Sequence, residues 1–205
     1  DGLKSENITA VYHSKGFEKT LIGNSNGLLI IINHSNSQII NKVDIINNVP
    51  VPQNIKRINH FFEYEEKIYI STDYGITVFN PVTLQFGDTY FIGLSGQETQ
   101  VLQTTVHDGY IYAVTPNIGI RRALISNPFL INFNSWEVFN SGSWKGIASI
   151  NNFLIGSGTD NRLYRFYEGS TLSIISTSQP ILNIRSDNGF LTVTTNSTIY
   201  AFNQQ

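Results

Sequence analysis

Histidine is the side chain most ready to hold a metal or move protons near neutral pH, and this chain has four, His13, His34, His60 and His107. No two stand at the short intervals of a metal-binding motif, so neither a metal site nor a catalytic histidine is expected. His60 sits in INHFF, where alternation puts it on the face opposite Asn59 and Phe61, the setting of a packed, hydrogen-bonded ring. Two facing carboxylates could cleave a glycosidic bond. Asp73, Asp160 and Asp187 fall in successive polar turns and could gather near one rim, but aspartate in a turn ordinarily bonds its own backbone. Glu63, Glu65 and Glu66 with Lys67 read as a solvated hairpin turn. Cysteine is absent, which removes thiol nucleophiles, thiolate metal sites and disulfides together. No G-x-S-x-G elbow raises a serine into a nucleophile, and GLSG at Gly93–Gly96 lacks the strand-then-helix setting of a phosphate cradle. The residue types point to binding, with no catalytic residue, no metal and no cofactor.

The elements that would position such a binding surface repeat along the whole chain. A β-rich run, a short polar turn and an alternating run recur five times, at Leu21–Ile31, Ile68–Phe79, Ile111–Ala123, Phe153–Phe166 and Phe190–Phe202. The position before the second run is Gly27, Gly75, Gly119, Arg162 and Thr198, giving spacings of 48, 44, 43 and 36 residues. Each copy follows another apolar run, at Ile8–Tyr12, Ile58–Phe62, Val101–Val106, Trp144–Ile150 and Ile181–Arg185, read as the innermost strand. Four copies are followed by a further run, at Gln38–Ile45, Gly87–Ile92, Trp136–Phe139 and Leu172–Ile175, read as the outer strand. Four short strands per 36–48 residues without helical periodicity predict an all-β chain and a β-propeller. The expected blades are approximately residues 1–45, 46–92, 93–142, 143–179 and 180–205, the last incomplete. About five four-stranded blades are thus expected here, as part of a larger propeller of six to eight blades continuing on both sides. Arg162 and Thr198 depart from the glycine of the other turns.

In a propeller the turn between second and third strands opens on the same face as the loops between blades, the usual docking face. That places Asn24, Asn26, Asp73, Tyr74, Asn117, Asp160, Asn161 and Asn196 as candidate rim-binding residues, with Tyr74 singled out as an aromatic in a turn. The other reading of the same residues is turn chemistry alone. Loops at Val49–Ile55 and Ser95–Gln100 add to this face, whereas Phe61, Tyr69, Phe79, Tyr112, Phe166 and Phe202 alternate within strands and are expected between blades.

Composition narrows the partners. Charged residues make up 14% of the chain and the formal net charge is −2, so no basic field exists to hold nucleic acid. The longest apolar run, near Leu28–Ile32, is far short of the roughly 18 residues of a membrane span. Methionine is absent and the chain starts at Asp1, the expected mark of a product processed or cut from something longer.

The stretch DGL…ENITAVYHS…LIGNSNGL, Asp1–Leu28, resembles the two-component-regulator propeller repeats. INHFFEYEEKIYISTDYGITVFN, FGDTYFIGLSGQETQVLQTTV, GYIYAVT and RRALISNP, within Ile58–Pro128, with GSWKGI at Gly142–Ile147, resemble the PorZ-like propeller subunits of the type IX secretion attachment complex. That resemblance implies a seven-bladed first propeller of a longer protein, export to the cell surface at the outer membrane, and a non-enzymatic scaffold role in sortase-linked anchoring of cargo. The implied partners are the sortase subunit PorU, its outer-membrane barrel partners and anionic lipopolysaccharide or another glycan. The alternative is the periplasmic ligand-sensing propeller of a hybrid two-component histidine kinase. Such sensors normally carry Trp in the second strand of each blade, where this chain has Leu21, Tyr69, Tyr112, Leu154 and Leu191, which counts against that reading.

Overall fold

The computed structural model describes residues 7–167, 169–187 and 189–203. Residues 1–6, the opening of the first repeat, and 204–205 lie outside the described residues. The chain is a β-propeller whose described residues form five antiparallel sheets, four of four strands and one of three. It divides into two compact units, Asp1–Val101 with Ile131–Phe133, and Leu102–Leu130 with Asn134–Gln205.

In the first unit, β1 (Ile8–Ser14), β2 (Lys19–Asn24), β3 (Leu29–Asn33) and β4 (Gln38–Lys42) form one meander, and β5 (Ile58–Tyr64), β6 (Lys67–Thr72), β7 (Ile76–Asn80) and β8 (Gln85–Tyr90) the next. Their shared core holds Leu21, Leu29 and Ile31 of one sheet against Ile58, Phe61, Ile68, Ile70 and Phe79 of the other. Each such side chain contributes about 1.5–3 kcal/mol by leaving water. The middle strands are buried on both faces, so they read as β-branched runs such as LIII and IYIS rather than as a polar alternation.

The second unit contains β9 (Gln103–His107), β10 (Tyr110–Thr115), β11 (Gly119–Leu124) and β12 (Glu137–Asn140), then β13 (Trp144–Ile150), β14 (Phe153–Gly158), β15 (Arg162–Tyr167) and β16 (Ser170–Ser176), then β17 (Asn183–Asp187), β18 (Phe190–Thr194) and β19 (Ile199–Asn203). One core joins Tyr112, Val114, Ile120, Trp144, Ile147, Leu154 and Phe166; another joins Ala148, Ile155, Leu163, Ile181, Ile184, Leu191 and Val193.

Three outer strands start away from the expected positions; β16 begins at Ser170, two residues before the expected Leu172. β8 begins at Gln85 rather than Gly87, directly after Leu84, whose φ of +58° reverses the chain. Trp136 precedes β12 instead of opening it, because a 3-10 turn at Phe133–Ser135 delivers its indole into the interior, where it donates to the Leu130 carbonyl at 2.9 Å.

Two local devices recur at the blade edges, each in three of the five sheets. Gly27, Gly75 and Gly119 have φ of +89°, +151° and +95°, and a Cβ at Gly75 or Gly119 would strike the carbonyl of Tyr90 or Asn140 on the neighbouring outer strand. Glycine is thus required twice over there, by conformation and by space. Where glycine is missing, Asn161 takes the left-handed conformation at φ +64°, one residue before Arg162, a position asparagine tolerates. In the last blade, Thr195 instead closes the turn with its backbone and hydroxyl on Thr198. The second device is a register shift near the start of the first strand, between Ile8 and Ala10, Ile58 and His60, and Trp144 and Gly146. Such bulges redirect a side chain out of the ladder.

Candidate functional site

Two of the redirected side chains, Thr9 and Asn59, turn onto a later part of the chain. Thr9 donates to the carbonyl of Ile58 at 2.5 Å, and Asn59 donates to Val101 O at 2.9 Å and Asp73 Oδ1 at 2.8 Å. Gln103, which opens β9 in register with Val114 and without such a shift, donates to Ile184 O at 2.8 Å and accepts from Ile147 N at 3.3 Å. Each of these polar residues ties its own sheet to a later segment of the chain, a strand for Thr9 and Gln103 and the stretch before β9 for Asn59. Sequence reasoning missed them because a single Thr, Asn or Gln in an apolar strand carries no periodic signal.

The candidate rim residues separate into two kinds. Asn24 is fully buried, with its amide and backbone N–H both donated to Leu28 O, so it closes the β2–β3 turn. Asn26 is exposed and caps the same turn by accepting from Leu28 N. Asp73 is half-buried and receives Asn59 at 2.8 Å and Gln100 at 2.6 Å on one oxygen. The expectation for Tyr74 is corrected: it lies in the β6–β7 turn, yet only 1% of it is exposed. Its ring faces Phe91 and its hydroxyl pairs with Thr77 at 2.9 Å, and burial raises its pKa. The turn folds inward there because the Thr72 hydroxyl accepts from the backbone of both Tyr74 and Gly75. Asn117, Asp160 and Asn196 are exposed in their turns, and the carbonyl of Asn161 accepts from Thr177. Asp187 ends β17, at the hairpin opposite the turn that carries Asn196, so those two do not share an end of their sheet.

Of the eight candidates, Asp160 is the one that lines a described pocket. That pocket, of about 400 Å³, lies at the start of β13 and the β14–β15 turn; its walls include Asn140, Ser143, Trp144, Thr159, Asp160, Tyr164 and Thr171. Thr159 N donates to Ser143 O at 3.1 Å and holds two walls together. Asn140 organises a third: its Oδ1 accepts from Gly142 N at 2.9 Å and Trp144 Nε1 at 3.0 Å, and its amide donates to Thr171 at 3.1 Å. Tyr164 donates to Asp160 Oδ2 at 2.5 Å, a bond that holds the phenol proton and raises its pKa. Arg162 stands 3.9 Å from the same oxygen.

A second pocket of about 400 Å³ opens among His107, Asp108, Tyr112, Arg122, Phe139 and Tyr167. Arg122 packs over the rings of Tyr110 and Phe139 at 4.6 and 4.9 Å, with its Nε 2.6 Å from Glu137. Tyr112, Phe139, Phe166, Trp144 and Tyr164 form one chain of rings, with successive centroids 5.1, 5.2, 5.0 and 5.3 Å apart. The two pockets are therefore the two ends of a single aromatic column. No group of three metal-ligating side chains occurs among the described residues.

Over residues 1–137 the chain matches the family described as the PorZ N-terminal beta-propeller domain of the type IX secretion system. It belongs to that family. The match takes in the first eleven strands, the three glycine turns and most of the motifs read from sequence. Among solved structures, PorZ of Porphyromonas gingivalis, described as an essential bacterial surface component of the type IX secretion system, superposes with a TM-score of 0.81 at 14% identity, over 99% of this chain and 27% of that one. The extracellular domain of a protein described as a hybrid two-component system from B. thetaiotaomicron gives 0.71 at 15% identity, over 98% and 29%. The computationally designed Ika8 protein gives 0.62 at 12% identity, over 96% and 58%. These likenesses carry the fold. This PorZ-family chain spans about a quarter of the length of the P. gingivalis protein. No curated protein matches its sequence.

Proposed function

We propose that this chain is a non-enzymatic binding and scaffold propeller of the type IX secretion system attachment complex, exported to the cell surface at the outer membrane. There it assists the sortase-linked anchoring of cargo to anionic lipopolysaccharide, in company with the sortase subunit PorU and outer-membrane barrel proteins. The observation that carries the reading is the PorZ family match over residues 1–137. The site geometry agrees with it. Asp73 is held by two amide donors and Asp160 by the Tyr164 hydroxyl, so these carboxylates act as positioning groups rather than as an acid and base pair. The blade limits read from sequence and a parent propeller of seven blades belong to the same proposal.

The test is recovery of the full-length native protein from membranes in mild detergent, with mass spectrometry of what accompanies it. A sortase and an outer-membrane barrel are expected. A histidine-kinase core on the same polypeptide would instead favour the sensor reading, which the 0.71 superposition on the two-component extracellular domain supports.

A further inference from the structure

We infer that the pocket walled by Trp144, Tyr164 and Asp160 is a subsite for one uncharged sugar unit. The inference goes beyond the secretion role and does not depend on it.

The argument starts from which polar atoms the protein itself leaves available. Asn140 Oδ1 is fully engaged by two donors inside the wall, and one of its two amide N–H groups is bonded to Thr171. Asp160 Oδ2 takes the Tyr164 hydroxyl. Among the described residues, Asp160 Oδ1 and the hydroxyls of Ser143 and Thr159 have no side-chain hydrogen bond within the protein, and all three residues line the pocket. Thr171 accepts from Asn140, which leaves its own O–H to donate. The pocket thus presents one acceptor-only oxygen, one amide N–H and three hydroxyls that can donate or accept, the complement of a ligand carrying several hydroxyls.

The rings supply the second half of the recognition. Trp144 and Tyr164 line the same space and pack edge to face at 86°, with centroids 5.3 Å apart. Trp144 is only 6% exposed and its N–H is satisfied by Asn140, so it serves as the packed backing of the wall, and the ring surface left for the C–H face of a sugar is that of the half-buried Tyr164. Both rings are held by neighbours, Trp144 also packing on Phe166 at 5.0 Å. A pre-formed wall of this kind lowers the ordering cost of binding.

Charge decides which sugars fit. No Lys or Arg lines the pocket, and its one ionisable wall group besides Tyr164, the Asp160 carboxylate, is already answered by Arg162 at 3.9 Å, so the wall carries no unpaired charge. A carboxylated or phosphorylated sugar would bring a second negative charge beside Asp160 and compete with it for Arg162, the cation that already pairs there. The volume of about 400 Å³ falls at the small end of the roughly 300–1,000 Å³ range of ligand sites, in keeping with a single ring rather than a long chain.

The experiment is saturation-transfer NMR and calorimetry on the full-length protein. The probes are methyl glucoside, methyl mannoside and N-acetylglucosamine, against glucuronate and glucose 1-phosphate as charged counterparts and an arginine-containing peptide as a cationic competitor. Neutral probes are expected to bind, and Asp160→Asn with Ser143→Ala to weaken them about tenfold, the loss of a hydrogen bond to a charged group. Trp144 is a core residue, so its replacement is not used; circular dichroism confirms that the two variants fold. No binding of any neutral probe overturns the inference, as does equal binding of the charged sugars, affinity unchanged in the folded variants, or displacement of the sugars by the peptide with higher affinity. Recovery of the secretion partners by the Asp160→Asn protein separates the two readings: failure there bears on the scaffold role and leaves the sugar measurement standing.

Discussion

Gln103 Nε2 lies 2.8 Å from the carbonyl of Ile184, joining the first strand of the third sheet to that of the fifth. On the way it accepts from Ile147 N in the fourth. The side chain passes over Gly146, where a Cβ would stand 2.7 Å from its Oε1, so the glycine and the glutamine are one device.

Gln103→Ala leaves a buried carbonyl and a buried N–H without that partner. Stability should fall by about 2–4 kcal/mol, read as a lower urea midpoint at unchanged slope. An unchanged midpoint would mean that the three strands hold together by apolar packing alone.

The turn glycines can be graded against each other. Gly109 has φ +76° and open space around its missing Cβ, whereas Gly119, at φ +95°, faces the backbone of Asn140 and Ser141. Gly109→Ala should cost about 1 kcal/mol, from backbone strain. Gly119→Ala should cost about 3 kcal/mol or more, because neighbouring backbone cannot yield as a side chain can. Thermal unfolding of the two variants side by side checks the order.

Tyr74 is a core residue in a turn. Tyr74→Ala should destabilise by about 3–5 kcal/mol, and Tyr74→Phe by about 1 kcal/mol through the lost bond to Thr77. Partner binding by the folded Phe variant should match that of the parent. A specific loss of partner binding in that variant would return Tyr74 to the rim.

His107 gives a pH signature. Burial lowers its pKa below the ordinary 6.5, the opposing pull of Asp108 being smaller. The folded state then binds fewer protons than the unfolded one, so stability is full above about pH 6.5 and declines as pH falls below it. The drop in urea midpoint between pH 7.5 and 5.5 should be smaller in His107→Gln than in the parent. Equal drops would assign the decline to other groups.

The repeat, the strand order and the all-β class were legible in the sequence, because blade strands alternate or run β-branched at a fixed spacing and turns need glycine, asparagine or threonine. Gly75 and Gly119 could be found that way, since a positive φ next to a neighbouring backbone leaves no other residue. The family was legible too, in the motifs between Ile58 and Ile147.

The site was legible only at Asp160. Trp144 was visible as part of GSWKGI, but nothing in its spacing says that Asn140 holds its indole or that Tyr164 stands against it. Tyr74 and Asn26 occupy equivalent turns and look alike in one dimension, yet one is buried and the other exposed. Local sequence sets backbone shape and the alternation of faces, which act over a few residues. Which polar side chain is consumed by a neighbouring strand and which is left for a ligand depends on groups dozens of residues away, and only the packed sheets bring those together.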